Sequence, residues 1–158
     1  MNVLEHLEPK SVFRFFEEMC AIPHGSRNTK AVSDWCADFA RARGLEYHQD
    51  GDNNIIIIKE AAPGYEAAPP VILQGHLDMV CEQTADCQKD MSREGLDLAV
   101  DGDFVYAKGT TLGGDDKGAV ASILEIVEDI AETNRPHKEF YIMFTVSEET
   151  SMQGTKHM

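Results

Sequence analysis

A histidine and an aspartate, His76 and Asp78, lie shortly after the apolar run 71–73. The run predicts a buried strand, and in an extended backbone residues i and i+2 point to the same side. Both side chains should therefore project together from the carboxyl end of the strand. A histidine that binds a metal commonly donates its second ring N–H to a carboxylate. The pair fits one metal ligand with its orienting partner, and it also fits a polar strand end without a metal.

Two further groups of carboxylates follow predicted elements. Asp115 and Asp116 come after two glycines and open a predicted helix, where the helix N-terminus alone also favours acidic side chains. Glu148 and Glu149 follow a strand with bulky residues in both phases. Adjacent carboxylates repel each other unless a positive charge lies nearby, although a solvated loop would also tolerate them. In extended geometry the two glutamates face opposite ways and can take different roles.

These groups together supply one imidazole and several carboxylates. That donor set suits zinc, manganese or cobalt. A carboxylate shared by two cations would form a two-metal hydrolytic site. The chemistry that this combination favours is metal-assisted attack of water on a carbonyl, with one free carboxylate as general base.

The elements that must position these residues alternate between helices and strands. Amphipathic spacing predicts helices over 12–20, capped by Ser11, and from Asn28 or Thr29 to Gly44. Further predicted elements are strands over 45–48 and 54–59, the strand leading into His76, a hairpin over 96–107, a helix from Asp115 to the segment 134–136, and a strand over 140–146. The run 55–58 is apolar in both phases and predicts a central strand covered on both faces.

This alternation predicts an α/β fold, a three-layer αβα sandwich with a mixed sheet in which the strand before His76 is also central. In open α/β sheets, sites form outside the carboxyl ends of the strands. The three groups of candidate residues are therefore expected to meet at one edge.

Composition excludes several classes of protein. The 158 residues are enough for one domain, and 14 basic against 28 acidic side chains give a formal charge of −14, which disfavours nucleic acid as a partner. The N-terminus lacks the pattern of a signal peptide, and no apolar run has the length of a membrane span. Cys20 and Cys36 lie on apolar helix faces, Cys81 and Cys87 form no CxxC pair, and a reducing cytoplasmic location is expected.

Four segments, 22–26, 71–82, 109–116 and 144–149, together resemble the dinuclear zinc peptidases of the M20 family. Within that family they are most similar to the aminoacyl-histidine dipeptidases, which are Xaa-His dipeptidases related to carnosinase. The resemblance implies metal-dependent hydrolysis of small peptides. It also implies two zinc ions per complete site, with cobalt or manganese as substitutes, and a homodimer in the full-length protein.

The resemblance implies a role for each candidate. His76 would bind the first metal, and Asp78 would orient its imidazole. Asp115 would bridge the two metals, with a cis peptide bond to the next residue. Glu148 would be the general base, and Glu149 would bind the second metal.

The chain departs from the family pattern at a few points. Lys117 follows the paired aspartates, as in the tripeptidase branch, and Ser151 stands where glycine is usual. Family members are much longer, so residues 1–158 are expected to be the N-terminal portion of a catalytic domain without its lid and dimerisation domain. We expect this portion alone to bind zinc weakly, to hydrolyse little, and to self-associate through an open sheet edge. His157 is a substitute ligand under this hypothesis, whereas His6, His24, His48 and His137 are expected on surfaces or in turns.

Three alternatives remain open. The first is a tripeptidase, carboxypeptidase or N-acyl amino acid deacylase of the same superfamily, which would share the metal chemistry and differ in its pocket. The second is a truncated, non-catalytic product that binds metal or regulates another protein. The third is a structural module with acidic strand ends.

Overall fold

A computed structural model describes residues 2–133, 135–152 and 154–156 of the chain. Two positions discussed above, Asn134 at the predicted helix end and His157 as a substitute ligand, lie outside these ranges. Within them, no helix combines the length and the apolar character that crossing a membrane would require.

Within the described residues, three helices and six strands follow one another in the predicted order. The helices are α1 (Lys10–Cys20), α2 (Lys30–Ala42) and α3 (Gly114–Thr133), and a short 3-10 helix covers Gly154–Lys156. The strands are β1 (Glu46–Gln49), β2 (Ile55–Lys59), β3 (Val71–His76), β4 (Leu98–Asp101), β5 (Phe104–Ala107) and β6 (Phe140–Thr145). The predicted hairpin is confirmed as β4 and β5, which pair with each other in a separate sheet.

The main sheet has the strand order β1-β2-β6-β3. The first two pairings are antiparallel, and β3 runs parallel to β6. Because β3 and β6 are parallel neighbours, their carboxyl ends lie side by side, with His76 opposite Thr145. The predicted α/β class with a mixed sheet is therefore confirmed.

The core lies between the helices and one face of the sheet. Helix α3 packs against α1 and β3, and α2 packs against β1 and β2. Alternating side chains of β2 and β6 point into this core, and Ile55, Ile57, Ile142 and Phe144 are all inaccessible to solvent. Cys20 and Cys36 are buried in the same core, which confirms that prediction.

The opposite face of the sheet is less covered than the sequence predicts. Ile56 and Ile58 are only half-buried, and Ile72 on β3 is 63% exposed. The prediction that the strand before His76 is central is wrong for the described residues, because β3 pairs with β6 alone and forms the edge of the sheet. An apolar run indicates a buried strand, but it does not indicate whether the strand has one neighbour in the sheet or two.

The helix ends differ from the predicted caps in detail. Helix α1 begins at Lys10 after Pro9, and neither α1 nor α2 has a side-chain hydrogen bond at its N-cap, so the predicted cap at Ser11 is wrong. Gly44 does follow α2 with a φ of 63°, the left-handed conformation that glycine adopts after a helix. Glu128 on α3 joins the helices because it accepts hydrogen bonds from Arg14 of α1 and from Arg43 after α2.

Candidate metal centre

The carboxyl end of β3 carries the central histidine of the site. His76 is the last residue of the strand, and the chain continues through Leu77 to Asp78. Both polar side chains are buried, with residue exposures of 7% for His76 and 1% for Asp78. A buried imidazole and a buried carboxylate need partners, since an unpaired buried charge is costly.

Both ring nitrogens of His76 face oxygen atoms. Nδ1 lies 3.0 Å from the carbonyl oxygen of Asp78 and 3.5 Å from its Oδ1 atom. Nε2 lies 3.1 Å from Oδ1 of Asp115 and 4.0 Å from Oε2 of Glu148. Because both nitrogens face oxygen acceptors, these contacts favour the doubly protonated form of the ring.

The carboxylates around His76 favour the protonated form of its ring. The hydrogen bond with Asp78 is the main influence that raises the pKa of His76 from 6.5 to about 9. Burial opposes this rise, whereas the contact with Asp115 adds to it. The Nε2 proton thus lies among carboxylates, at the nitrogen through which the ring would bind a cation.

Asp78 connects three segments of the chain through one carboxylate. Ser26 donates a 2.7 Å hydrogen bond to Oδ2, and the main-chain N–H of Glu148 donates a 3.0 Å bond to Oδ1. Burial raises the pKa of Asp78, but the hydrogen bonds from His76, Ser26 and Glu148 outweigh it and hold the pKa below the ordinary value. The aspartate is therefore an ionised, fully engaged partner of the imidazole.

A bend at the start of α3 brings in the paired aspartates. Asp115 and Asp116 have non-helical backbone angles, and the peptide bond between them is cis. Oδ2 of Asp116 accepts a 3.1 Å hydrogen bond from the main-chain N–H of His76, while the side chain of Asp115 is 87% exposed next to Nε2. A Cβ atom on Gly75 would lie 2.9 Å from Asp116 Oδ2, so this close approach requires glycine.

The end of β6 places Glu148. Asn54 Oδ1 accepts a 3.0 Å hydrogen bond from the main-chain N–H of Val146, and Ser147 has a φ of 58°, which turns the chain sharply after the strand. Glu148 is half-buried beside the imidazole. Glu149 faces solvent, and its carboxylate makes no hydrogen bond or ion pair within the described residues.

The structure thus brings together four of the five candidate residues: His76, Asp78, Asp115 and Glu148. Their donor types fit a divalent transition metal, since one imidazole nitrogen faces two carboxylates. The number of metal-binding side chains, however, is enough for only part of a metal site. In the ranges that the structure describes, no three His, Cys, Asp or Glu side chains are arranged as a ready metal-binding group, whereas catalytic zinc takes three protein ligands.

A buried lysine lies behind the site, and the sequence did not predict it. Lys117 is 2% exposed, and its Nζ atom donates a 3.0 Å hydrogen bond to Nε2 of His24 and a 3.3 Å bond to Sδ of Met79. Burial lowers the pKa of Lys117 to about 8, and burial followed by the lysine charge lowers the pKa of His24 to about 4. This pair holds the turn after α1, the end of β3 and the start of α3 together.

Two of the histidines that were expected on surfaces or in turns lie outside helices and strands but are buried, His24 at 2% and His137 at 8% exposure. His6 and His48 are exposed, as expected. The segment around His24 was noted only as part of a motif, and no local pattern showed that it would pack against the end of β3. The same holds for Ser26, whose partner is 52 residues away in sequence.

This fold, with a buried histidine–aspartate pair and further carboxylates at neighbouring strand ends, matches a known class of hydrolases. The model of peptidase family M20/M25/M40 matches residues 72–158. The chain belongs to this family.

The most informative relatives are two dipeptidases. The chain is 34% identical to the cytosol non-specific dipeptidase of Escherichia coli over 154 residues, which is 98% of this chain and 31% of that protein. The crystal structure of an aminoacylhistidine dipeptidase from Vibrio alginolyticus superposes on this chain with a TM-score of 0.89 at 32% identity. The superposition covers 98% of this chain and 31% of the dipeptidase. The chain therefore spans about a third of the length of these relatives.

More distant structures share the fold. A tripeptidase from Staphylococcus aureus superposes with a TM-score of 0.78 at 23% identity, over 94% of this chain and 39% of that one. Similarity at this level shows that the fold is shared, and it does not indicate the substrate.

Proposed function

We propose that residues 1–158 form the N-terminal portion of the catalytic domain of a metal-dependent dipeptidase. The observation that carries the proposal is the position of His76 Nε2, which faces Asp115 at 3.1 Å and Glu148 at 4.0 Å. Its other nitrogen is turned towards Asp78. A histidine held in this way by a carboxylate, with its free nitrogen among further carboxylates, is the arrangement that metal-binding histidines adopt.

The roles proposed for His76 and Asp115 are supported by these contacts, whereas the role of Glu149 rests on the resemblance to the family alone. His76 and Asp115 would hold one cation, and Asp115 with Glu149 would hold a second. A bound zinc ion, or cobalt or manganese in its place, polarises a peptide carbonyl and makes water more acidic. His76 must lose its Nε2 proton to act as a ligand, while Asp78 keeps the ring oriented through Nδ1.

Glu148 is the proposed general base. Its carboxylate is half-buried, and its own main-chain N–H is fixed by Asp78, so Oε2 stays beside the histidine. Oε2 would take a proton from the attacking water and deliver it to the amine that leaves. A positioned general base contributes about 10²- to 10⁴-fold to a rate.

Small peptides are the proposed substrates. The Escherichia coli relative is a non-specific dipeptidase and the Vibrio alginolyticus relative an aminoacylhistidine dipeptidase, so we infer dipeptides in general and Xaa-His dipeptides in particular. The first of these relatives is named a cytosol enzyme, and we propose a cytoplasmic location and a homodimer for the full-length protein.

The test is an assay of the product of the gene that encodes this chain. Its substrates would be β-alanyl-histidine, other Xaa-His dipeptides, dipeptides without histidine, tripeptides and N-acyl amino acids. We expect hydrolysis of dipeptides that a chelator abolishes and zinc restores. Hydrolysis confined to tripeptides or N-acyl amino acids would refute the proposed substrate, and hydrolysis that survives removal of metal would refute the mechanism.

The fragment hypothesis needs a separate measurement. The chain of 158 residues should bind zinc weakly in a calorimetric titration and hydrolyse β-alanyl-histidine little or not at all. Robust turnover by this chain alone would show that it does not depend on further residues.

A further inference from the structure

Ser26 lies outside every role considered so far, yet it contacts the most buried carboxylate of the site. Its hydroxyl donates a 2.7 Å hydrogen bond to Oδ2 of Asp78. The side chain of Asp78 is completely inaccessible to solvent. Among the described residues Ser26 is the one donor to Oδ2, since Glu148 and His76 both face Oδ1.

The backbone fixes this serine in place. The main-chain N–H of Met79 donates to the carbonyl of His24, and the N–H of Ser26 donates to the carbonyl of Met79, both at 3.2 Å. These bonds form a short parallel bridge between Gly25 and Met79. A Cβ atom on Gly25 would lie 2.6 Å from Sγ of Cys81, so the segment fits closely against the strand end.

Two hydrogen bonds on different oxygens determine the plane of a carboxylate. With only the Glu148 bond on Oδ1, the Asp78 carboxylate could rotate about its own bond and move away from Nδ1 of His76. A buried acceptor without a donor is also costly, which would favour such a rotation. The hydroxyl of Ser26 therefore determines where the partner of the histidine lies.

We propose that Ser26 is a positioning residue, which holds Asp78 in the plane that orients the His76 imidazole for metal binding. This inference rests on the metal-binding role proposed above for His76. Within the part of the chain that the structure describes, the Ser26 hydroxyl makes no hydrogen bond to His76, Asp115 or the Glu148 side chain. It acts through Asp78 alone.

The test compares variants of nearly equal shape. Ser26→Val removes the hydroxyl and fills its space, so that water cannot replace it, whereas Ser26→Thr keeps the hydroxyl. Ser122→Val is the matched control, because Ser122 is also half-buried and its hydroxyl donates a single 2.8 Å hydrogen bond, to the carbonyl of Gly118 away from the site. Ser26→Ala replaces Ser26→Val if the valine variant does not fold.

Two readouts are measured on the chain itself. The first is the solvent exchange of the His76 Nδ1–H proton, observed by ¹⁵N-edited NMR without metal. The second is zinc affinity by calorimetry. We expect faster Nδ1–H exchange and about tenfold weaker zinc binding in Ser26→Val, the size typical of lost partners around metal ligands, with wild-type behaviour in Ser26→Thr and Ser122→Val.

The two readouts separate the inference from the proposed function. If the Nδ1–H exchange and the zinc affinity of Ser26→Val stay within twofold of wild type, the positioning role is refuted. If wild type binds no zinc while only Ser26→Val speeds the exchange, Ser26 does position the pair and the metal-binding role fails instead. If Ser26→Thr behaves like Ser26→Val, the effect is one of packing and the inference is refuted.

Discussion

The main-chain N–H of Glu148 donates a 3.0 Å hydrogen bond to Oδ1 of Asp78, a residue 70 positions earlier in the chain. This bond joins the loops that follow the two parallel strands β3 and β6. The same oxygen faces Nδ1 of His76 at 3.5 Å. One buried carboxylate therefore contacts both the loop that carries the proposed base and the imidazole, whose Nδ1 also lies 3.0 Å from the Asp78 carbonyl.

Asp78→Asn should disturb both at once. The amide keeps the shape but loses the charge, and one of its two acceptors becomes a donor that opposes the N–H or O–H groups around it. We expect zinc affinity to fall about 10- to 100-fold and the free energy of unfolding to fall by about 1–3 kcal/mol. Zinc titration and urea denaturation measure these changes. Asp101→Asn, at the exposed end of β4, is the control and should change neither.

Gly75→Ala should separate Asp116 from the strand. The new Cβ would lie 2.9 Å from Oδ2 of Asp116 and 3.1 Å from Cγ2 of Val120, so the carboxylate must move away from the His76 N–H. We expect a loss of about 1–3 kcal/mol in the free energy of unfolding, the usual cost of overpacking. Gly51→Ala is the control, because nothing lies within 4 Å of its Cβ position. Equal unfolding free energies for the two variants would contradict this close approach.

Stability should depend on pH through His24. The pKa of this buried imidazole is about 4 in the folded chain against 6.5 for an ordinary histidine. Between these values the unfolded chain binds the proton and the folded chain does not, so stability falls as the pH drops from 6.5 towards 4. The loss that this group contributes is about 3 kcal/mol.

The measurement is urea denaturation across that pH range for wild type, His24→Gln and the exposed-site control His48→Gln. The free energy of unfolding of His24→Gln should depend less steeply on pH than that of wild type. The curve of His48→Gln should follow that of wild type. Parallel curves for wild type and His24→Gln would show that His24 is not buried as a neutral ring.

Glu148→Gln and Glu149→Gln should differ in what they impair. As the proposed base, Glu148 should be required for hydrolysis, with a loss of about 10²- to 10⁴-fold in kcat for the gene product, while zinc affinity stays within a few-fold. As a proposed ligand, Glu149 should be required for binding of the second metal. The exposed Glu94→Gln is the control for both. Equal effects of the two substitutions on zinc stoichiometry would refute this division of roles.

Much of the site could be predicted because its residues follow strands with clear patterns. The apolar run before His76 and the spacing to Asp78 are local signals, and the rule that sites form at carboxyl ends of parallel strands brings Glu148 to the same edge. The structure agrees because β3 and β6 are parallel neighbours. The bend at Asp115 also follows the predicted change from glycines to helix.

The remaining features depend on contacts between distant segments. Lys117 looks like a polar residue near a helix start, and only the bend at Asp115 and Asp116 turns it inwards. The edge position of β3 depends on which strands pair with it. The residue pattern of a single strand does not indicate its neighbours in the sheet. Ser26 and Asp78 are likewise brought together by backbone pairing across 52 residues, and no local spacing indicates it.

The most direct test of the account follows the imidazole of His76 by NMR while zinc is added to the chain. We expect that the Nε2 resonance changes as its proton is displaced, that the Nδ1–H signal towards Asp78 persists, and that Asp115→Ala weakens the response. Zinc binding that leaves the His76 resonances unchanged, or that is equally strong in His76→Ala, would contradict it.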